Sequence, residues 1–465
     1  MHQPSYTKEL EKLIYPPPVD HKPLGTWKPF NPENPEYLFA LELIQKIHSF
    51  NYCALLAGGC VRDFLIGVEP SDFDIASTMP PDQMMEKLKS KNVKTVPTGI
   101  DHGTITVVKG KLAVEITCLR QDVQTDGRRA VVSFSDSFYA DSLRRDFTVN
   151  AMYLSGDQKL LDFHGGLKDL QEWQLRFVGD PDERMKEDHL RILRFFRFQA
   201  KYGFSVNHCE LNSVTENSPL LHSLSKERVT AEIELLLTNL VNKDLFKKMV
   251  QSKLFNHINL DLSLLGIYNQ DFENNTTEFL EFQKILNSPD TRAGLFDKKV
   301  WSLSFFFHKY CKDRDEVQQK WDSLTISRRS RRKILCLFDI WRTFQEKKTV
   351  LPYGMFHIHK ELIDSFQGYS QSQWSGVKIF IEKLASLKMN YNHVRTLVAD
   401  LGTRHFIKRL EINASTLMSE FGVPKGPLLG EILEILTQLE LNFGIKDKNQ
   451  IKKIVDRYLN ASTQN

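Results

Sequence analysis

Two aspartates set two positions apart, Asp72 and Asp74 in EPSDFDIAS, carry the first chemical signal. The segment reads as a strand, so both carboxylates leave the same face. Like charges held that close repel strongly unless a divalent cation lies between them. Upstream, LLAGGCVRDFLIG runs an apolar strand into Gly58-Gly59 and then a helix start. That arrangement offers bare backbone N–H groups to an anion at the positive end of a helix dipole. Arg62 lies one turn into that helix, within reach of a phosphate. Alone, Gly-Gly before a helix also describes a plain tight turn, and Asp-x-Asp is common in turns. In succession the two point to a phosphate held beside a metal. A pair of metal ions would favour a third carboxylate on a neighbouring strand. Glu115 in LAVEIT is the candidate, the only charge in an apolar β run, where an unpaired buried charge is costly. The alternation also allows Glu115 a solvated face. Asp72, Asp74 and Glu115 are thus the candidate catalytic carboxylates, with Asp72 and Asp74 as metal ligands.

These residues need a sheet, and the chain around them supplies one. YLFALELIQKIHSF has helical periodicity, and ALLAGG is followed by the short helix VRDFLIG. After the strand-like SDFDIAS come a helix over PPDQMMEKLKS and two strands, GTITVVKG and KLAVEITCL, joined by a Lys-Gly-Lys turn. Past residue 156 strand signals nearly vanish, and helix follows helix with short polar loops. No fixed-period repeat suggests a solenoid. The expected fold class is α+β: a small N-terminal head of sheet and helices on a long helical body. The Pro-rich residues 1–35 read as an extended arm and 36–155 as the head.

Bulk properties exclude more than they select. A chain of 465 residues divides into several domains. Its 41% hydrophobic and 26% charged residues are ordinary for a globular protein. No apolar run approaches the roughly 20 residues of a membrane span. The first residues show neither a signal core nor the Arg-rich composition of a transit peptide. Six scattered cysteines without a CxxC pair read as reduced thiols of a cytoplasmic protein. A net charge of +4 means that any nucleic-acid binding rests on local patches.

The Gly-Gly-x-Val-Arg-Asp helix with Asp-x-Asp is joined by RRDFTVNAMYL (144–154), GDPDERMKEDHLRILRFFRF, SKERV and INASTLMSEFGVPKGPLLGEILE. Together these resemble the class II tRNA nucleotidyltransferases and bacterial poly(A) polymerases, from about residue 36 to the end. The resemblance implies a polymerase-β-like nucleotidyltransferase head, then an all-helical neck (156–225, base recognition), body (226–345) and tail (346–465, tRNA binding). It implies a template-independent RNA nucleotidyltransferase that adds C, C and A from CTP and ATP to a tRNA 3′ end. The expected cofactor is Mg²⁺, two ions, and the expected partners are CTP, ATP and the acceptor and elbow of tRNA. No membrane and no protein partner is implied. A poly(A) polymerase shares nearly every motif, and CC-only or A-only addition is a further alternative. A retired, non-catalytic RNA-binding relative is disfavoured by the retained carboxylates.

Chemistry suggests roles for the remaining motif residues. Arg144, Arg145, Asp146 and Asn150 suit sugar and phosphate, an Arg fork fitting phosphate oxygens and Asp or Asn bonding ribose hydroxyls, or else mark a surface helix start with Asp146 as N-cap. A helix expected over 184–200 gathers Arg184, Glu187, Asp188, Arg191 and Arg194 on one side. Met185, Ile192, Leu193, Phe196 and Ala200 fall on the other. The charged side is either a salt-bridged solvent face, through Glu187–Arg191 and Asp188–Arg191, or, as the resemblance implies, an amino-acid template for the incoming base. Cytosine and adenine both present an amine donor beside a ring-nitrogen acceptor, which an Asp and an Arg would match. Uracil and guanine would set donor against donor and acceptor against acceptor. Asp188 and Arg191 are the candidates for the base edge, Glu187 for orienting Arg191, and Arg194 completes the nucleotide site with Gly58, Gly59 and Arg62. The polar segment with Arg120, Asp122, Asp126, Gly127, Arg128 and Arg129 reads as a mobile loop or a solvated turn. It resembles the flexible loop of CCA-adding enzymes, and its compactness favours CCA addition. Arg328, Arg329, Arg331, Arg332 and Lys333 form a basic run that suits an RNA backbone or a solvated face.

Overall fold

A computed structural model of the chain describes residues 5–12, 31, 33–90, 93–125 and 130–260. Beyond these it describes the stretches 298–311, 313–321, 324–328, 414–426 and 448–462, with a few single positions among them. Two compact units form: residues 1–273 with 319–325, and residues 274–318 with 326–465. The candidate catalytic residues all fall in the first.

That unit is built on a mixed sheet. Helix α2 (Pro35–Ser49) begins at a proline, capped by the Asn34 side chain, which accepts from the N–H groups of Glu36 and Tyr37. It buries Phe39, Ala40, Leu43, Ile44 and Ile47 against the sheet. Strand β1 (Ala54–Ala57) is wholly buried and leads into α3 (Gly59–Leu65). Strand β2 (Asp74–Ser77), helix α4 (Pro81–Lys87), β3 (Lys94–Gly99), β4 (Thr104–Lys109) and β5 (Leu112–Cys118) follow. The sheet is completed by β8 (Met152–Leu154) and β9 (Leu160–Asp162), in the order β3-β4-β5-β2-β1-β8-β9. The order skips β6 (Arg120–Thr125) and β7 (Ala130–Phe134), which form a separate antiparallel pair. Among the sheet's pairings only β2–β5 is parallel, and its register sets Asp74 beside Glu115.

Three expectations change here. The sheet does not end by residue 155, because Leu160 and Leu161 pair with β8 and are fully buried. The expected loop from Arg120 to Arg129 is a hairpin on both described flanks; Asp126, Gly127, Arg128 and Arg129 lie outside the described residues. Within the expected extended arm, Ser5–Leu10 forms helix α1. The Glu9 carboxylate accepts from the backbone N–H groups of Phe138 (2.7 Å) and Tyr139 (3.3 Å) and from the Ser137 hydroxyl (2.7 Å). It thereby satisfies orphan donors at the start of α5 (Phe138–Leu143).

After the sheet the described chain is helical: α6 (Gly166–Gln171), α7 (Pro181–Glu187), α8 (Leu190–Tyr202), α9 (His208–Asn217), α10 (Lys226–Asn239), α11 (Lys243–Gln251) and α12 (Leu254–His257). The helix expected over 184–200 is therefore two, broken at Asp188. There the backbone turns extended (φ −146°, ψ 103°), and the Asp188 carboxylate accepts from the N–H of Leu190 at 3.1 Å. A short acidic side chain competing for backbone donors is the physical reason for the break. On the apolar side Met185, Ile192, Leu193 and Phe196 are fully buried, with Phe195 beside them. Described helices of the second unit include Lys298–Tyr310, Ala414–Phe421 and Lys448–Ser462, and none among the described residues is long and apolar enough to cross a membrane.

Candidate active site

A cleft of about 550 Å³ opens between the ends of β1 and β2 on one side and α8 with the start of α10 on the other. Gly58, Gly59, Arg62, Asp72, Asp74, Arg144, Arg145, Asp146, Asn150, Asp188, Arg191 and Arg194 all line it. Glu115 lies in backbone register with Asp74, and Glu187 is ion-paired to Arg191.

The sheet side is acidic and open. Asp72 and Asp74 are exposed on either side of the buried Phe73, the alternation of an extended segment, and Glu115 is exposed in register with Asp74. The Ser71 hydroxyl donates to Asp72 at 3.1 Å. None of the three carboxylates forms an ion pair among the described residues. Although Asp74 is exposed at the cleft, the cleft walls strip enough solvent to push its carboxyl up to about 6. Desolvation leads, the charges of Asp72 and Glu115 add to it, and Arg145 opposes them. Among the described residues no three His, Cys, Asp or Glu side chains form a ready-made metal cage. An all-carboxylate donor set without an ion-pair partner nevertheless fits a hard divalent cation.

At the floor, Gly58 adopts φ +74°, and a Cβ there would lie 2.9 Å from an Arg145 guanidinium nitrogen. Only glycine meets both demands. Arg62 is held by side chains of α3, α8 and the segment after α5. Its Nε donates to Asp63 (2.8 Å), one terminal nitrogen donates to Asn150 and the other to the Tyr202 hydroxyl (2.6 Å). It also lies over the rings of Phe198 and Tyr202, 5.0 and 4.5 Å from their centroids. These bonds tie α3 to α8 and hold the Arg62 guanidinium in the cleft lining beside Gly59. Asp146 is similarly committed: one oxygen accepts from Phe147 N–H and Asn150, the other from Arg194. Burial would raise its pKa, but Arg194, Asn150 and the Phe147 N–H together bring it down to about 2. Asp146 thus fixes Asn150 and Arg194.

The helical side is basic, and its arginines are held. Arg191 donates to Glu187 at 2.8 Å and to the Arg184 carbonyl at 2.8 Å. The expected Asp188–Arg191 pair does not form. Asp188 instead accepts from Arg228 of α10 with both oxygens, at 2.8 and 2.9 Å. Arg197 meets Glu232 of α10 at 2.8 Å. Arg144 and Arg145 both donate to Asp141, which is 1% exposed and also accepts from the Tyr153 hydroxyl at 2.7 Å. Burial pushes Asp141 up, yet the two arginines and Tyr153 hold it at about 2.

Sequence reasoning missed Asp63, Asp141, Arg197, Lys201, Tyr202, Arg228 and Glu232. SKERV drew notice as a motif, but nothing in the spacing places Arg228 against an aspartate 40 residues earlier. Of the expected loop, Arg120 is described, and its guanidinium donates to the His102 carbonyl. Of the basic run, Arg328 is exposed and Arg331 donates to the Ile326 carbonyl at 3.0 Å; Arg329, Arg332 and Lys333 lie outside the described residues.

Comparison with known proteins settles the family. Residues 54–176 match the poly A polymerase head domain, and residues 203–265 match a probable RNA- and SrmB-binding site of polymerase A. A CCA-adding enzyme of Streptococcus gordonii is 31% identical over 419 residues, 89% of this chain and 94% of that protein. This chain belongs to the CCA-adding enzyme family. The mouse mitochondrial CCA tRNA nucleotidyltransferase 1 is 42% identical over 195 residues, covering 40% of this chain and 44% of its own. The fold agrees with the Bacillus stearothermophilus CCA-adding enzyme solved with CTP, at a TM-score of 0.65 and 22% identity over 93% of this chain and all of that one. A Thermotoga maritima CCA-adding enzyme solved with tRNA gives a TM-score of 0.55 at 20% identity, over 92% of this chain and 96% of that one. Family membership fits the acidic edge, since nucleotidyltransferases of this kind use a divalent metal.

Proposed function

We propose that the cleft transfers CMP, CMP and AMP from CTP and ATP to the 3′ end of tRNA, releasing pyrophosphate at each step. The observation that carries this reading is the convergence on one cleft of an unpaired carboxylate edge, a Gly-Gly floor and a basic wall. Asp72, Asp74 and Glu115 are the residues that would hold metal, two Mg²⁺ ions in this reading. Such cations, when bound, would acidify the RNA 3′-hydroxyl and neutralise charge on the leaving pyrophosphate. Gly58 and Gly59 admit the phosphates closely. Arg145, with Asn150 beside it, contacts the sugar and α-phosphate, while Asp146 keeps Asn150 and Arg194 in place. The 3′-hydroxyl oxygen attacks the α-phosphorus in line, the bond to the bridging oxygen breaks, and the hydroxyl proton passes to solvent.

Base choice falls to Asp188 and Arg191. Asp188 accepts from the exocyclic amine of C or A while Arg191 donates to the ring nitrogen, with Glu187 and Arg228 fixing the pair. A uracil or guanine would leave the half-buried Asp188 and the buried Arg191 mismatched. The head is taken as residues 36 to just past β9, with neck, body and tail after it. The described cysteines are free thiols, as a cytoplasmic setting requires.

The test is incorporation of labelled CTP into tRNA lacking its CCA end, with Mg²⁺ and with excess chelator. Extension confined to the Mg²⁺ reaction is expected. Chelator-resistant extension, or none in either, would overturn the reading.

A further inference from the structure

Every arginine that lines the cleft is ion-paired: with Asp63, Asp141, Glu187, Asp146, Glu232 or Asp188. Lys201 is the exception among the described lining residues. It is exposed to the cleft, and no carboxylate lies within ion-pair distance of its ammonium. Its contact is the ring of Tyr202, 4.7 Å from ammonium to centroid. Tyr202 is itself anchored to Arg62 and Asp63 beside the Gly-Gly floor. Burial lowers the Lys201 pKa, Arg62 and Arg197 push the same way, and Asp63 and Asp72 pull it back. The ammonium is therefore within the electrostatic reach of both the floor and the acidic edge.

Its position along α8 is equally telling. Arg191, Arg194, Phe198 and Lys201 follow one another at helical spacings of three and four, so one face runs the length of the cleft. The ten steps from Arg191 to Lys201 rise about 15 Å. That is the scale on which a nucleoside triphosphate extends from its base edge to its terminal phosphates.

We infer that Lys201 receives the β- and γ-phosphates of the incoming nucleotide, and hence the pyrophosphate that leaves. The inference rests on the nucleotide-transfer reading above, with the base held at the Asp188–Arg191 end. A lysine with no carboxylate partner offers this polyanion an uncompensated charge, whereas each lining arginine already shares its charge with a carboxylate. An ammonium on a flexible stem also suits a group that must be released after each addition.

Lys201→Ala and Lys201→Arg separate the alternatives, with Mg²⁺ held constant. For the alanine variant the KM for CTP and ATP, and the inhibition constant for pyrophosphate, should each rise about tenfold, the scale of one charge-assisted hydrogen bond. CMP binding and the KM for tRNA should stay unchanged, and arginine should recover most of the loss. A rise in tRNA KM with pyrophosphate inhibition intact would move Lys201 to the RNA backbone and overturn the assignment. No change in any constant would make it a solvated lysine. Intact CMP binding excludes misfolding. Wild-type protein that binds neither CTP nor pyrophosphate would sink the nucleotide reading itself, a result distinct from failure of the variant.

Discussion

The two walls of the cleft are organised in opposite ways. On the sheet wall Asp72, Asp74 and Glu115 have no ion pair among the described residues, and burial, with the charges of Asp72 and Glu115 adding to it, raises Asp74 to about 6. On the helical wall each arginine is fixed by a carboxylate, several of them buried, and Asp146 stays ionised down to about 2. The acidic wall is electrostatically incomplete and gains from a cation that arrives with substrate. The basic wall is pre-organised, as a surface must be if it is to discriminate between bases with little reorganisation. In the proposed reading the acidic wall holds metal for nucleotidyl transfer and the basic wall reads the base.

The largest effect that can break this contrast is on the acidic wall. Asp72→Ala or Asp74→Ala should each reduce incorporation of both CTP and ATP by at least about a hundredfold, since a metal ligand acts on every turnover. The fold should persist. Near-normal rates in either variant would remove the metal site from Asp72 and Asp74.

On the recognition wall the expected loss is smaller and selective. Asp188→Ala should weaken CTP and ATP use by roughly 1.5–3 kcal/mol, the value of a hydrogen bond to a charged group. It should also narrow discrimination against UTP and GTP, because the acceptor-to-acceptor mismatch disappears. Competition among all four nucleotides reads this out. Unchanged selectivity would reduce the charged face to a structural one.

Stability measurements sharpen the contrast without any substrate. The folded pKa of Asp74 lies above its ordinary value of 3.8, so the native state binds more protons between pH 3.8 and about 6. Stability therefore falls as pH rises through that window, and the penalty is complete above it. Asp74→Asn should raise the melting temperature of metal-free protein above pH 6, with the gain vanishing as pH approaches 3.8. Added Mg²⁺ should stabilise wild type more than the variant. A variant no more stable than wild type at pH 7 would mean that the acidic wall is not strained.

How much of this was legible in the sequence follows the same division. The acidic wall is local: Asp72 and Asp74 lie on one segment, and the solitary charge of Glu115 in an apolar run marks it. The parallel register that joins Glu115 to Asp74 was not readable, because it depends on strand order. The basic wall is assembled from α3, α5, α8 and α10, and its pairings span up to 140 residues. Helical spacing found Glu187–Arg191, but the break at Asp188 hid its true partner, Arg228. Arg62 looked free because Asp63, Asn150 and Tyr202 surround it only after folding. The strand β9 was lost because a three-residue strand carries too little alternation to register.

The smallest expected effect concerns the hairpin β6–β7. Arg120→Ala should leave addition of C and C largely intact while slowing the addition of A to CC-ended tRNA. The slowing should exceed what about 0.5 kcal/mol of surface perturbation allows. Equal rates on both steps would make the hairpin a solvated turn.

Product length on defined acceptors tests the central claim most directly. Wild-type protein is given tRNA lacking CCA, tRNA ending in CC, and oligo(A), each with Mg²⁺, CTP and ATP. The account predicts three added nucleotides on the first, a single A on the second and little extension of the third. Long A tails on CC-ended tRNA or oligo(A), with CTP scarcely used, would contradict it and make the protein a poly(A) polymerase.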